Sequence, residues 1–131
     1  MHYEWTEAMA TGVEETDNEH RTLIAWINEL TEANARGTGE HEVMRILTFL
    51  GFYASKHFAH EEGCFARHRC PHAAGNRRAH EQFTATVNQM KLDCEAHGVT
   101  AMKAVELQRA LGDWLQSHLL RVDTALKPCV K

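Results

Sequence analysis

The chain has 131 residues, a formal net charge of −4 and a pI near 6.2. That length suits one domain with a single hydrophobic core, and the acidic balance leaves no basic footprint for nucleic acid. No stretch approaches the roughly 20 apolar residues of a membrane span, and MHYEWTEAMA lacks the basic start and apolar centre of a signal peptide, so the expected compartment is the cytoplasm.

Two prolines among many Ala, Leu, Glu, Met, Gln and Arg predict an all-helical domain over residues 1–131. Residues 1–17 read as an N-terminal arm, with Tyr3, Trp5 and Val13 packing across the helices. Four helices come after it, from about residue 18 to 127. Asp17 reads as the N-cap of the first, whose apolar stripe holds His20, Leu23, Ile24, Ile27 and Leu30, and Arg36-Gly37-Thr38-Gly39 breaks it. The second starts near Glu40, carries Val43, Ile46, Leu50, Tyr53, His57 and Glu61, and ends near Cys70-Pro71, since the residue before proline resists helix. The third begins at or just after Pro71, with Asn76, His80, Phe83, Val87, Met90 and Cys94 inward, and closes at His97-Gly98. The fourth starts after Thr100, with Leu107, Leu111, Trp114, His118 and Val122, and Pro128 blocks its continuation. Four amphipathic helices with short connections predict an up-down-up-down four-helix bundle. Cys64, Cys70, Cys94 and Cys129 show no CxxC spacing, and in a reducing cytosol they are expected as buried thiols rather than bridges.

Histidine is the compositional outlier, 10 of 131 residues. One histidine on an apolar stripe is ordinarily satisfied by a neighbouring hydroxyl or carbonyl. Here His20, His57, His80 and His118 place one on each helix, and Glu61 lies four residues after His57, about 40° around the same face. Several polar groups in one apolar core need partners together, and a metal supplies them. Imidazole with carboxylate suits iron, zinc or manganese, and more than four ligands favour two metals over one tetrahedral zinc. Neither Glu-x-x-His nor His-Glu-x-x-His occurs, which excludes the ferritin-like and metalloprotease patterns.

The stretches Trp5 with GVEETDNEH (12–20), HFAHEE (57–62), a proline followed by NRRAHEQF (76–83), and WLQSHLLRVD (114–123) together resemble the bacterial hemerythrins over nearly the whole chain. The resemblance implies two oxo- or hydroxo-bridged irons and O2 as their ligand. It would put His20 and His57 on one iron and His80 and His118 on the other, with Glu61 and Asp123 as bridges. Asp123 rests on the resemblance: five residues past His118 it sits about 140° away on an ideal helix, unless the helix end is irregular. Leu119 resembles the bulky residue that screens the O2 pocket in the family, and Cys64, one turn beyond Glu61, fits either the pocket wall or core filler.

One ligand of the family pattern is missing. Asn76 stands where a fifth histidine is expected, four residues before His80. Its side-chain oxygen is a candidate weak ligand or water-holding group. His72, one turn nearer the helix start, is the alternative donor, about 6 Å away along the axis. Loss of an imidazole opens the second iron and favours its oxidised state. The expected function is therefore a non-heme di-iron protein that binds O2, for oxygen binding or for oxygen and redox sensing. The alternatives are a sensory domain of a larger signalling protein, with a covalently attached output module, and a peroxidase-like di-iron enzyme. Met1 and Lys131 fit a stand-alone protein and an excised domain alike. Glu62 is expected to point away from the core into solvent, and His2, His41, His60, His68 and His97 to be exposed.

Overall fold

The computed structural model describes residues 2–130; Met1 and Lys131, the ends of the expected domain, lie outside the described residues. Helices α1 (Glu14–Ala35), α2 (Gly39–Arg67), α3 (Ala73–His97) and α4 (Ala101–Arg121) are flanked by a 3-10 turn at Glu7–Met9 and a 3-10 segment at Asp123–Cys129. Turns at 36–38, 68–72 and 98–100 are too short for anything but antiparallel neighbours, so the expected four-helix bundle forms. Among the described residues there is no strand, and no helix is long and apolar enough to cross a membrane.

The stripes meet as their spacing dictates. Leu23, Ile27 and Leu30 of α1, Val43, Ile46, Leu47 and Leu50 of α2, Phe83 and Val87 of α3, and Leu107, Leu111 and Leu115 of α4 share one buried core. Tyr53, Met90 and Trp114 are only half-buried and seal its edge. Helix α1 packs on α2 and α4, and α2 also on α3. Between α3 and α4 the spacing is filled by rings, with Phe83 centred 4.4 Å from Trp114.

The arm packs on the bundle and is shorter than expected, since α1 begins at Glu14. The Tyr3 hydroxyl donates to Asp113 at 2.9 Å, and its backbone exchanges hydrogen bonds with the Asn28 side chain. Its ring lies against the bare backbone of Gly112, where a Cβ would meet ring atoms at 2.2 Å. Asp17, expected as a cap, sits instead inside the first turn of α1, which begins three residues earlier without a side-chain cap. Its buried carboxylate accepts from the Thr11 amide and hydroxyl, both at 2.9 Å, and so ties the arm down. At Thr100 the cap is as expected, with the hydroxyl accepting from the Lys103 amide.

The cysteines correct the sequence-based expectation for one pair. Cys64 and Cys94 are buried thiols, but Cys70 and Cys129 form a disulfide, with Cα atoms 5.6 Å apart across 59 residues of chain. Periodicity could not show this, because Cys129 lies beyond the last regular helix. The bridge belongs to a second, smaller core of Cys64, Phe65, Cys70 and Leu126, below the main one.

Candidate metal centre

Between the two cores the four helices present their polar residues to one another. His20, His57, Glu61, Asn76, His80, His118 and Asp123 are all at most 5 % exposed. Each imidazole directs Nε2 at a carboxylate: His20 lies 2.8 Å from Glu61 and 3.1 Å from Asp123, His57 3.4 Å from Glu61, His80 2.9 Å from Glu61, and His118 2.8 Å from Asp123. Two sets of donor atoms result, each within 4.8 Å: His20, His57, Glu61, Asp123 and His80, His118, Glu61, Asp123. They share both carboxylates. A two-metal centre with bridging carboxylates requires that arrangement.

How Asp123 arrives is a matter of backbone. Helix α4 ends at Arg121, and the chain tightens into 3-10 geometry from Asp123 onward. Asp123 opens that segment, is 1 % exposed and lies 2.8 Å from His118 Nε2. The irregular helix end that the family pattern demanded is present.

Further carboxylates outside the ring of ligand candidates were not anticipated. Glu19 lies 2.8 Å from His57 Nδ1, and Glu62 lies 2.9 Å from His80 Nδ1. A carboxylate can only accept there, so Nδ1 carries a proton and Nε2 is left to face the shared carboxylates. Glu62 is therefore not a free solvated residue. It leans along α2 toward α3 and is half-buried. Glu19 also holds the exposed His60, at 3.0 Å from its Nδ1. The signal available in sequence was chemical rather than periodic: each inward histidine needs an acceptor for its second nitrogen, and an acidic residue stands beside both His20 and Glu61. Aromatic faces complete the positioning, with Phe58 stacked 3.8 Å from His80 and Trp114 4.4 Å from His118.

Asn76 lies on the inward stripe, but its polarity is the reverse of the expected one. The amide nitrogen donates to Glu61 and to Asp123, each at 2.9 Å, while the oxygen has no partner. It braces the two shared carboxylates through its nitrogen, where its oxygen was expected as a weak metal ligand or water-holding group. His72 is exposed at the start of α3 and does not take the missing place. Leu119 is fully buried in the main core beside His118, whereas Cys64 belongs to the lower cluster, its sulfur accepting from Arg67 at 3.0 Å. His2, His41, His60, His68 and His97 are exposed, as expected.

Without a cation the cluster relies on protons. Burial opposes charge on His20, but hydrogen bonds and attraction from Asp123 and Glu61 prevail and push its pKa up to about 10. His80 is raised in the same way, burial being outweighed by Glu61 and then Glu62. Burial likewise penalises the Glu61 carboxylate, yet His20, His57 and His80 hold it well below the usual range. Protons do not satisfy everything. His80 Nε2, His118 Nε2, Asp123 Oδ2, Asn76 Oδ1 and His20 Nδ1 have no aligned hydrogen bond. Unpaired buried groups cost about 1–3 kcal/mol each. At His80 and His118, Nε2 approaches a carboxylate closely without hydrogen-bond alignment, as donor atoms gathered around a common point do. The residues fit metal ions.

Fold and site together define a helical-bundle protein with a carboxylate-linked cation site in its core. The chain belongs to the hemerythrin HHE cation-binding domain family, whose model matches residues 11–130. It is 25 % identical over 130 residues to a bacteriohemerythrin of Pseudomonas aeruginosa (strain LESB58), covering 99 % of this chain and 82 % of that one. It is 28 % identical over 127 residues to a bacteriohemerythrin of Stenotrophomonas maltophilia (strain R551-3), covering 97 % and 80 %. A crystal structure of wild-type hemerythrin superposes with a TM-score of 0.80 at 24 % identity, over 98 % of this chain and 97 % of that one, a likeness of fold.

Proposed function

We propose that the chain is a non-heme di-iron protein that binds O2 at a carboxylate-bridged pair. His20 and His57 would hold one iron and His80 and His118 the other, with Glu61 and Asp123 bridging. The observation that carries this is the convergence of four Nε2 atoms on two shared, buried carboxylates. An iron pair supplies the electrons on which reversible O2 binding draws. The chain's own contribution is positional. Glu19 and Glu62 keep Nδ1 of His57 and His80 protonated, Phe58 and Trp114 fix ring planes, and Leu119, fully buried next to His118 in the chain, would screen the apolar side. Metal analysis after iron reconstitution, with optical spectra before and after reduction and O2 exposure, tests it. Close to two irons per chain and an O2-dependent spectrum are expected; one or none with the bundle intact refutes it.

The Asn76 amide favours oxygen or redox sensing as a second reading over simple carriage. Only two imidazoles serve each half of the site, so the centre lacks a donor that would stabilise the ferrous state. In that role the domain would act in the cytoplasm, away from membrane and nucleic acid, with a signalling output module attached in the native chain. The length of the native reading frame distinguishes the two. Turnover of peroxide with an electron donor would reassign the centre to a peroxidase-like enzyme.

A further inference from the structure

We propose that Cys70 and Cys129 are a redox-operated clasp on the segment that carries Asp123. Regular helix stops at Arg121, and Asp123–Cys129 are seven residues of 3-10 geometry, a form whose hydrogen bonds are poor and whose runs are normally shorter. Pro128 removes one more donor. The segment is therefore held by its ends and its burial. Helix α4 anchors the front, Leu126 is buried on Phe65 and Cys70, and the disulfide pins the back to the α2–α3 turn.

That turn is a firm anchor. Cys70 N–H bonds to Phe65 O and Arg69 N–H to Ala66 O, with Arg69 at φ 50°, the left-handed pattern that closes a helix. Between the two anchors lies Asp123, whose carboxylate meets groups from three other places: His20 of α1, Asn76 of α3 and His118 of α4. Its placement depends on the segment staying in register.

Cys129 is half-buried whereas Cys70 is 5 % exposed, so a reductant reaches Cys129 first. A thiolate of a dithiol attacks the Cys129 sulfur, the S–S bond breaks, and Cys70 leaves as thiolate and takes a proton. The second thiol of the reductant then displaces Cys129 as a thiol and closes its own disulfide, so two electrons and two protons reach the pair. The Ala125 carbonyl, 3.6 and 3.8 Å from the two sulfurs, is placed to accept an S–H from the opened pair. With the back end released, residues 122–130 loosen and Asp123 holds cations less firmly. This last consequence rests on the proposed metal site; the clasp itself does not.

The two parts are tested separately. In metal-free protein purified in air, denaturing alkylation should find two free thiols; four would overturn the clasp. Phosphine reduction, and independently Cys129→Ser, should raise amide exchange over residues 122–130 at least tenfold while α1 is unchanged. Cys94→Ser, in the main core, should leave that segment's exchange as in the parent. Unchanged exchange in the reduced protein overturns the clasp. Protein loaded with Co2+, which phosphine does not reduce, should release it to a chelator at least fivefold faster when reduced. Equal release with faster exchange overturns the coupling to Asp123, and failure of both forms to bind Co2+ overturns the metal site while leaving the exchange result to judge the clasp.

Discussion

Removing Glu62 separates what the sequence suggests from what the structure requires. As a residue beside Glu61 it looks dispensable; as the acceptor for His80 Nδ1 at 2.9 Å it fixes the ring and its tautomer. Loss of such a partner typically costs 10–100-fold in metal affinity. Glu62 is 33 % exposed, so water can partly replace it, and the lower half of that range applies. Glu62→Ala should weaken binding at one of the two proposed metals about 10- to 30-fold, or about 1.4–2 kcal/mol. Glu19 is only 14 % exposed, so Glu19→Ala should cost more, at the other metal. Co2+ titration against a chromophoric chelator resolves the two steps. Glu106→Ala, at an exposed position on α4, should change neither, and Glu61→Ala should lose both. If Glu62→Ala binds both ions within twofold of the parent while Glu61→Ala does not, Glu62 does not position His80.

Asn76→His should add a nitrogen donor on the ligand stripe; the iron-loaded variant should hold O2 longer and oxidise more slowly than the parent, and unchanged oxidation with the new ring bound would refute this. In metal-free protein the His20 ion pair is complete only while His20 is charged. Its stabilisation is present below pH about 6.5, the ordinary value, and lost as pH rises through about 10. Glu61, held low, supplies the acid limit: its contribution is present above about 4.5 and lost as pH falls through its depressed value. Melting temperature against pH should therefore decline on the alkaline side for the metal-free protein and far less once a metal replaces the proton. Arg69→Gly relieves a left-handed non-glycine residue at the end of α2 and should stabilise the protein by about 0.5–1 kcal/mol in urea unfolding; destabilisation would mean that the arginine side chain contributes more than its backbone costs.

Helix count, bundle topology and the inward histidines were legible in the sequence because each depends on a local rule. A 3.6-residue period puts His20 with Leu23 and Ile27, or His57 with Glu61, on one face whatever lies opposite. Gly37, Gly98 and Cys70-Pro71 mark helix ends through backbone sterics alone. Other features depended on which surfaces meet. Asp123 reaches the centre only because the chain leaves α-helical geometry after Arg121, a change of a few residues that no periodicity encodes. Glu62 is a solvent residue on an isolated α2 and an acceptor once α3 brings His80 beside it. Asp17 could as well have capped a helix; it braces the arm because Thr11 folds back on it. Asn76 was placed correctly on its stripe, but which end of the amide faces inward was settled by two carboxylates arriving from α2 and the C-terminal segment, each needing a donor. Cys70 and Cys129, 59 residues apart, meet only when the last segment crosses the α2–α3 turn. Local sequence sets the face a side chain occupies, and only the packed chain sets what stands opposite it.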